Sequence, residues 1–372
     1  MKQPKIAIIG TRGIPANYGG FETFAEEVCV RLVNMGIETI VIGDQSLAYN
    51  ESHYKGIEIF KSNISKPSNP LKFYKQSIQI AQNNRADVII MCGVGGSLLI
   101  PFYSKKNSVI AVNPDGLGFK RDKYVWWKKF IFFTQYLLAS CLSPHLVCDS
   151  VGIAAYYQKT FKRKKNLTII EYGTYLNPFS QKEVLKVELE SFGLNYQPKK
   201  YHLVVSRLEP ENNIQMIIEG YLKTEKKYPL VIVGNTNTKH SQYLVKYKND
   251  NIHFVGGIYD REKLMIFRAA SLTYFHGHSV GGTNPSLLEA MGSKNFCICH
   301  DNIFNREVVQ ENGKYFKNTD EANDTFIFAE EEKNSSLINL YREGVFHRAI
   351  NYYSWENIAE KYLAFAQKIK PN

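Results

Sequence analysis

Apolar and polar positions along the chain alternate between two rhythms. Short apolar runs at residues 5–9, 39–42, 86–92 and 108–112 are followed by glycine or asparagine and, with a further run at 57–60, have the length of buried strands. Between them, apolar residues recur every three or four positions, as in Phe21, Phe24, Ala25, Val28 and Leu32, which predicts an amphipathic helix stopped by Gly36. A second helix is predicted over residues 71–83, and runs at 147–149 and 167–170 complete a first sheet. The rhythm then restarts, with strands at 201–206, 230–233, 252–255, 271–275 and 296–300 and a helix at 213–224. Such alternation predicts α/β architecture: two doubly wound parallel sheets whose ligands sit at the carboxyl ends of the strands. The expected boundaries are 1–176 for the first domain and 177–350 for the second. A last helix over 354–368 places Trp355, Ile358, Ala359 and Tyr362 on one face.

Composition is that of a globular protein, and 372 residues suit two domains with their own cores. A net charge of +11 points to anionic partners, either a nucleotide, a nucleic acid or an acidic membrane surface. The lysines follow no helix-turn-helix or aromatic ribonucleoprotein pattern, so nucleic acid is not expected. Six cysteines lie in or beside apolar runs without a C-x-x-C pair, which predicts reduced, packed thiols in a cytoplasmic protein. The N-terminus enters a strand at once, without the apolar core of a signal peptide, and no apolar run is long enough to span a bilayer.

The richest stretch is HGHSVGGTNPSLLEAM, residues 276–291. A strand leads through Gly281, Gly282 and Thr283 into a short helix with Asn284 as N-cap and Pro285 in first position. Backbone N–H groups there suit a phosphate, and glycine lets it approach closely. Glu289 lies beyond the capping-box position, so it either accepts from neighbouring sugar hydroxyls or is a solvated helix carboxylate. Arg207 follows the strand at 201–206, where its fork suits a pyrophosphate.

In the first domain, Gly19 and Gly20 open a helix and offer a second anion site, expected on the opposite side of an interdomain cleft. The dinucleotide fingerprint G-x-G-x-x-G is absent, which argues against a nicotinamide enzyme. Asp115, in NPDGLGFKR, either orients an acceptor hydroxyl, contacts the donor sugar, or closes an Asx turn ahead of Gly116. His276 and His300 read as structural, whereas His278 lies inside the anion loop and can bond a sugar or phosphate. No D-x-D or His/Cys ligand spacing occurs, so no protein-held metal is expected and arginine and backbone amides offset the leaving-group charge.

KRDKYVWWKKFIFFTQYLL, residues 120–138, carries a helical stripe of Trp126, Phe130, Phe133 and Leu137 beside Lys120, Arg121, Lys123, Lys128 and Lys129. Trp126 and Trp127 next to lysines suit an interfacial helix on an anionic leaflet; the competing reading is a core helix with a solvated basic face.

Taken together, KIAIIGTRGIPANYGGFETFAEE, NPDGLGFKR, VVSRLEPENNIQMIIEG, HGHSVGGTNPSLLEAM and YYSWENIAEKY give a chain that resembles the bacterial rhamnosyltransferases of retaining glycosyltransferase family 4, which build capsule and cell-wall polysaccharides. The resemblance implies a GT-B fold, with acceptor and membrane functions on the N-terminal domain, the nucleotide-sugar on the C-terminal one, and residues 351–372 returning to the first. It implies that Arg207 contacts the pyrophosphate, Glu289 the ribose, Gly282 and Thr283 the phosphates, Gly20 the donor, and that Tyr259 lies near the base. Rhamnose from dTDP-β-L-rhamnose would pass, with retention and without metal, to glucose or N-acetylglucosamine on a lipid diphosphate at the inner face of the plasma membrane. A UDP-sugar donor and a noncatalytic nucleotide-sugar-binding role are the alternatives. Two departures stand out. Gly281 occupies the place of the first Glu of the family's Glu-x₇-Glu, and Asn212 and Asn213 stand where a lysine usually follows the arginine.

Overall fold

The computed structural model describes residues 3–16, 19–104, 107–120, 124–177, 186, 189–191, 193 and 195–371. The chain divides into two compact units, one comprising Met1–Lys120, Tyr124–Gly173 and Trp355–Asn372, the other Thr174–Ser354.

The first unit is built on eight strands: β1 (Ile6–Ile9), β2 (Thr39–Gly43), β3 (His53–Tyr54), β4 (Ile57–Lys61), β5 (Val88–Cys92), β6 (Val109–Asn113), β7 (His145–Cys148) and β8 (Leu167–Ile169). Their order is β3-β4-β2-β1-β5-β6-β7-β8, parallel throughout except for the β3–β4 hairpin at one edge. β1, β2 and β5 are buried at every position, as strands covered by helices on both faces must be, and this explains their unbroken apolar runs. From β1 the chain moves outward to β2 and β4, then returns to pair β5 on the other side of β1. That reversal opens a crevice at the carboxyl ends of β1 and β5.

The final helix, Trp355–Ile369, belongs to this first unit. The four residues whose spacing predicted its inner face are all buried, joined by Phe365 and Ala366. Tyr362 packs on Phe24 at 5.0 Å and its hydroxyl accepts from Asn113, while Arg31 and Lys361 pair with Glu356 and Glu171. Trp355 lies so close to Gly173 that a Cβ there would fall 2.2 Å from the indole, so the chain enters the helix across a bare backbone.

The second unit holds β9 (His202–Val205), β10 (Leu230–Val233), β11 (Ile252–Phe254), β12 (Thr273–His276), β13 (Cys297–His300) and β14 (Lys314–Phe316), all parallel, in the order β11-β10-β9-β12-β13-β14. The chain runs from β9 out to β11, then comes back to place β12 on the free side of β9. The switch point therefore lies between the loops that follow β9 and β12, which are the loops carrying Arg207 and Gly281–Thr283. The core behind the sheet is aromatic: Phe275 stacks on Phe326 at 4.0 Å, with Phe296 and Phe316 buried beside them. The sequence periodicity did not predict the long helix Ser335–Tyr353, because its buried residues, Ile338, Val345, Ala349 and Tyr353, are sparse among polar ones.

Five of the six cysteines are buried free thiols; Cys141 is exposed, contrary to the expectation of six packed thiols, because it falls on the outer side of the helix Trp126–Leu142.

Candidate functional site

In the second unit, Arg207 lies two residues after β9 and its side chain is exposed, with no hydrogen-bond partner among the described residues. Its backbone is held instead. The Arg207 carbonyl accepts from Asn212 Nδ2 at 2.6 Å, and Asn212 Oδ1 lies 2.6 Å from His278 Nδ1. Since an amide oxygen only accepts, His278 carries its proton on Nδ1, and its Nε2 is turned towards Gly281. Asn212 thus takes up the lysine position as a neutral clip between the arginine and the histidine. Its neighbour Asn213 bonds the Gly277 carbonyl at 2.7 Å, and a Cβ on Gly277 would sit 2.0 Å from the Asn212 carbonyl oxygen. The two loops flanking the switch point can meet only with glycine at 277.

The helix Pro285–Gly292 starts as its residue types dictate, with Asn284 Oδ1 accepting from Ser286 N at 2.9 Å and proline in first position. The cap sharpens the expectation of open N–H groups. Ser286 is satisfied by the Asn284 side chain, Leu287 and Leu288 by the Asn284 carbonyl, and Pro285 has no N–H to offer. The amides without a partner among the described residues belong to Gly281, Gly282 and Asn284, in the turn that precedes the helix. Gly281 has φ +124, a conformation that favours glycine, whereas Thr283 is buried. An anion here meets a curved strip of backbone with the dipole of the short helix behind it.

One turn further on, Glu289 points to Arg268 of the helix Arg261–Ala270, with Oε2 2.6 Å from Arg268 Nη2. Arg268 is 2% exposed and the Glu289 side chain 28% exposed, so the pair has one face in the core and one towards solvent. Arg268 escaped sequence reasoning because it looks like one more charge on a surface helix. The available signal was its context, Phe267 before it and Ala269-Ala270 after it, where a helix runs buried into β12. Tyr259 is 79% exposed, its ring folded back over Gly257, and it presents a bare aromatic face.

His276, His278 and His300 collect at the carboxyl ends of β12 and β13. His276 is buried, its Nε2 lacks a partner among the described residues, and burial pushes its pKa well below the ordinary histidine value, with His278, Arg268 and His300 adding repulsion. The unfolded chain protonates this imidazole near pH ~6.5 while the folded chain does not, so stability present above that pH is lost as pH falls below it. His202, lowered first by burial, acts in the same direction despite its bond to Glu330. The thermal midpoint should fall between about pH 7 and pH 5, and His276→Asn should flatten that slope; an unchanged slope would dismiss His276 as its source.

In the first unit, Gly19 caps the helix Gly20–Asn34 at φ +101. The start of this helix carries its own carboxylate: Glu22 Oε1 accepts from Arg12 N at 2.7 Å, and Oε2 would lie 2.4 Å from a Cβ on Gly19. An anion at Gly19 would meet that negative charge, which narrows the anion site read there to the neighbourhood of Gly20, whose carbonyl accepts from Tyr172 at 2.7 Å. Asp115 has φ +63 and is exposed. The Asx turn exists but belongs to Asn113, whose Oδ1 accepts from Asp115 N at 3.1 Å, so the Asp115 carboxylate is left for other partners.

Lys66 is a residue that the sequence concealed in a Ser/Pro-bearing loop. Its ammonium donates to the Gly10 carbonyl and lies 5.8 Å from the Tyr74 ring. Burial lowers its pKa against the opposing pull of Cys92, Glu22 and Asp115, which places a partly desolvated cation at the carboxyl end of β1.

The helix Trp126–Leu142 begins six residues later than the basic stretch before it, and Arg121 and Lys123 lie outside the described residues. Its expected stripe is divided. Phe133 turns inward onto Phe119 and Phe161, while Trp126 (80% exposed), Trp127, Phe130, Ile131 and Leu137 face outward. Leu98, in the turn Ser97–Leu99 against this helix, and Phe102 just beyond are exposed too. Lys128 lies 5.2 Å from the Trp127 ring, Lys129 is on the same turn, and Lys120 rests 4.4 Å from Tyr156. No helix among the described residues is long and apolar enough to cross a membrane.

Residues 3–175 match a family described as a domain of unknown function, DUF1972, and residues 188–337 match the glycosyl transferases group 1. No curated protein matches the sequence. Among solved structures, the chain is similar to a glycosyltransferase from Rickettsia africae, at 16% identity over 99% of both chains and a TM-score of 0.75. It is similar to sucrose-phosphate synthase from Thermosynechococcus elongatus, at 14% identity over 99% of both chains and a TM-score of 0.82. It is also similar to Anabaena HepE in complex with UDP, at 13% identity over 98% of this chain and all of that one, with a TM-score of 0.72. Two Rossmann-like parallel sheets with the last helix returned to the first define the GT-B fold. A glycosyl transferases group 1 domain spans most of the second unit, which, with the GT-B fold, supports a glycosyltransferase.

Proposed function

We propose that this enzyme transfers rhamnose from dTDP-β-L-rhamnose to a sugar, glucose or N-acetylglucosamine, on a lipid diphosphate, with retention and without a metal ion. The observation that carries the donor half is the pairing of an unengaged Arg207 with the open amides of Gly281, Gly282 and Asn284 on the two sides of one switch point. Arg207 and the amides stabilise the departing diphosphate, with Thr283 lining the turn, while His278 bonds the sugar or phosphate. Glu289 receives the nucleoside sugar and Tyr259 its base. Retention without a carboxylate nucleophile fits a front-face route, in which a leaving phosphate oxygen takes the acceptor proton and the protein supplies alignment. By the sequence resemblance Gly20 contacts the donor, and Asp115 contacts the donor sugar or orients the acceptor hydroxyl. Rhamnose as the sugar is favoured by the sequence resemblance, with Gly281 in place of the Glu that contacts hydroxyls in other donors. A UDP-sugar donor is the second reading, favoured by the likeness to HepE, which has been solved with UDP-glucose. Purified protein, dTDP-rhamnose and a short-chain lipid diphosphate should give product in the presence of a chelator. Binding of the donor without product would instead mark a noncatalytic partner in polysaccharide assembly.

The acceptor half requires a membrane surface. An outward cluster of Trp126, Trp127, Phe130, Ile131 and Phe102 with Lys120, Lys128 and Lys129 beside it suits insertion at an anionic leaflet, as expected for a protein held peripherally on the inner face of the plasma membrane. Replacing Trp126 and Trp127 with serine should shift the protein from sedimenting anionic vesicles to the supernatant. Unchanged partitioning would remove this face from membrane binding.

A further inference from the structure

Glu289 lacks the freedom that a bidentate sugar clamp requires. Each carboxylate oxygen has room for about two hydrogen bonds, but a grip on two vicinal hydroxyls needs one oxygen turned towards each. Here Oε2 faces inward and is bound to Arg268 Nη2 at 2.6 Å. Arg268 itself is held fast: it is almost wholly buried, and the same Nη2 reaches Ser286 Oγ at 3.1 Å. Ser286 Oγ in turn lies 2.7 Å from Tyr274 Oη and donates to the Val205 carbonyl at 2.9 Å, and Tyr274 Oη reaches that carbonyl at 3.1 Å. Val205 is the last residue of β9, two before Arg207. The network therefore ties the Glu289 oxygen to the strand that presents the phosphate-binding arginine. Turning Oε2 outward would leave a guanidinium buried without its carboxylate, and Arg268 Nε already lacks a partner among the described residues. Only Oε1 remains on the solvent side.

We infer that Arg268 is a positioning residue that restricts Glu289 to a single hydroxyl contact on the donor nucleoside, the 3′-hydroxyl, so that the site accepts 2′-deoxyribonucleoside diphosphates as readily as ribonucleoside ones. This rests on the donor-site reading above and explains how one carboxylate serves a deoxyribose-bearing donor without loss. A ribose-specific site forfeits a charge-assisted hydrogen bond when the 2′-hydroxyl is removed; this site has no such bond to forfeit.

Titration calorimetry of the full chain with UDP, 2′-deoxy-UDP and 3′-deoxy-UDP separates the possibilities, since the base and the diphosphate are shared. UDP and 2′-deoxy-UDP should bind within about threefold of each other, and 3′-deoxy-UDP should bind roughly tenfold or more weakly, as expected for one lost bond to a charged group. Arg268→Met frees Oε2, so UDP should gain several-fold over 2′-deoxy-UDP; a purely structural role for Arg268 would weaken both alike and leave their ratio unchanged. Tenfold or greater discrimination against 2′-deoxy-UDP by the wild-type protein overturns the inference, and that comparison requires no variant to fold. A Glu289→Ala protein that binds UDP as the wild type does would instead remove Glu289 from the donor site altogether, and the donor-site reading would fail with it.

Discussion

Arg207→Ala should lower turnover by about 10²- to 10³-fold while leaving the fold intact, the loss typical of removing one preorganised donor from a developing negative charge. The side chain is exposed and makes no hydrogen bond among the described residues, so its removal breaks no internal network. The Arg207 backbone remains pinned by Asn212, and the loop should keep its course in the variant. The effect should be large because the usual second cation is missing: Asn212 is neutral and already engaged with His278. Arg207→Lys should recover only part of the activity, since an ammonium cannot reproduce a two-pronged contact with a diphosphate. Steady-state rates at saturating donor, together with an unchanged thermal midpoint, would establish the role. Near-normal turnover in Arg207→Ala would remove the arginine from the mechanism.

Glu289→Ala should behave differently and destabilise the second unit by about 3 kcal/mol, the lower end of what breaking a buried pair costs, because it leaves Arg268 charged and nearly inaccessible to water. Glu289→Gln should be milder, since the amide oxygen still accepts from Nη2. The double variant Glu289→Ala, Arg268→Met should recover much of the stability without recovering donor binding, because no charge is then left buried without its partner. Chemical denaturation of the three proteins measures this directly. Equal stability of Glu289→Ala and wild type would mean that water reaches Arg268 freely and that the pair does little for the fold.

The architecture was legible wherever burial is two-sided. Strands such as Ile6–Ile9 and Val88–Cys92 are covered on both faces, so their apolar runs are continuous, and the glycine turns after them mark the carboxyl ends. The cap of the helix Pro285–Gly292 was equally legible, because asparagine and proline act locally. Periodicity failed for Ser335–Tyr353, where few positions are buried, and for the aromatic stripe of Trp126–Leu142, where Phe133 turned inward and Phe102 and Leu98 are exposed on a separate segment. The site was legible as residue types at strand ends and illegible as partnerships. Arg268 meets Glu289 across 21 positions, Lys66 meets Gly10 across 56, and Asn212 joins Arg207 to His278 through a loop contact that no local pattern encodes. Such contacts follow from strand order, which brings β12 beside β9 only after the chain has run out to β11 and back.

The identity of the transferred sugar is decided by a donor panel. Purified protein would be given dTDP-rhamnose, UDP-glucose and UDP-N-acetylglucosamine separately, each with short-chain lipid diphosphates bearing glucose or N-acetylglucosamine, and the lipid products weighed by mass spectrometry. The lipid should gain one deoxyhexose from dTDP-rhamnose and nothing from the UDP-sugars. A hexose or N-acetylhexosamine added from a UDP-sugar, with dTDP-rhamnose inert, would contradict it.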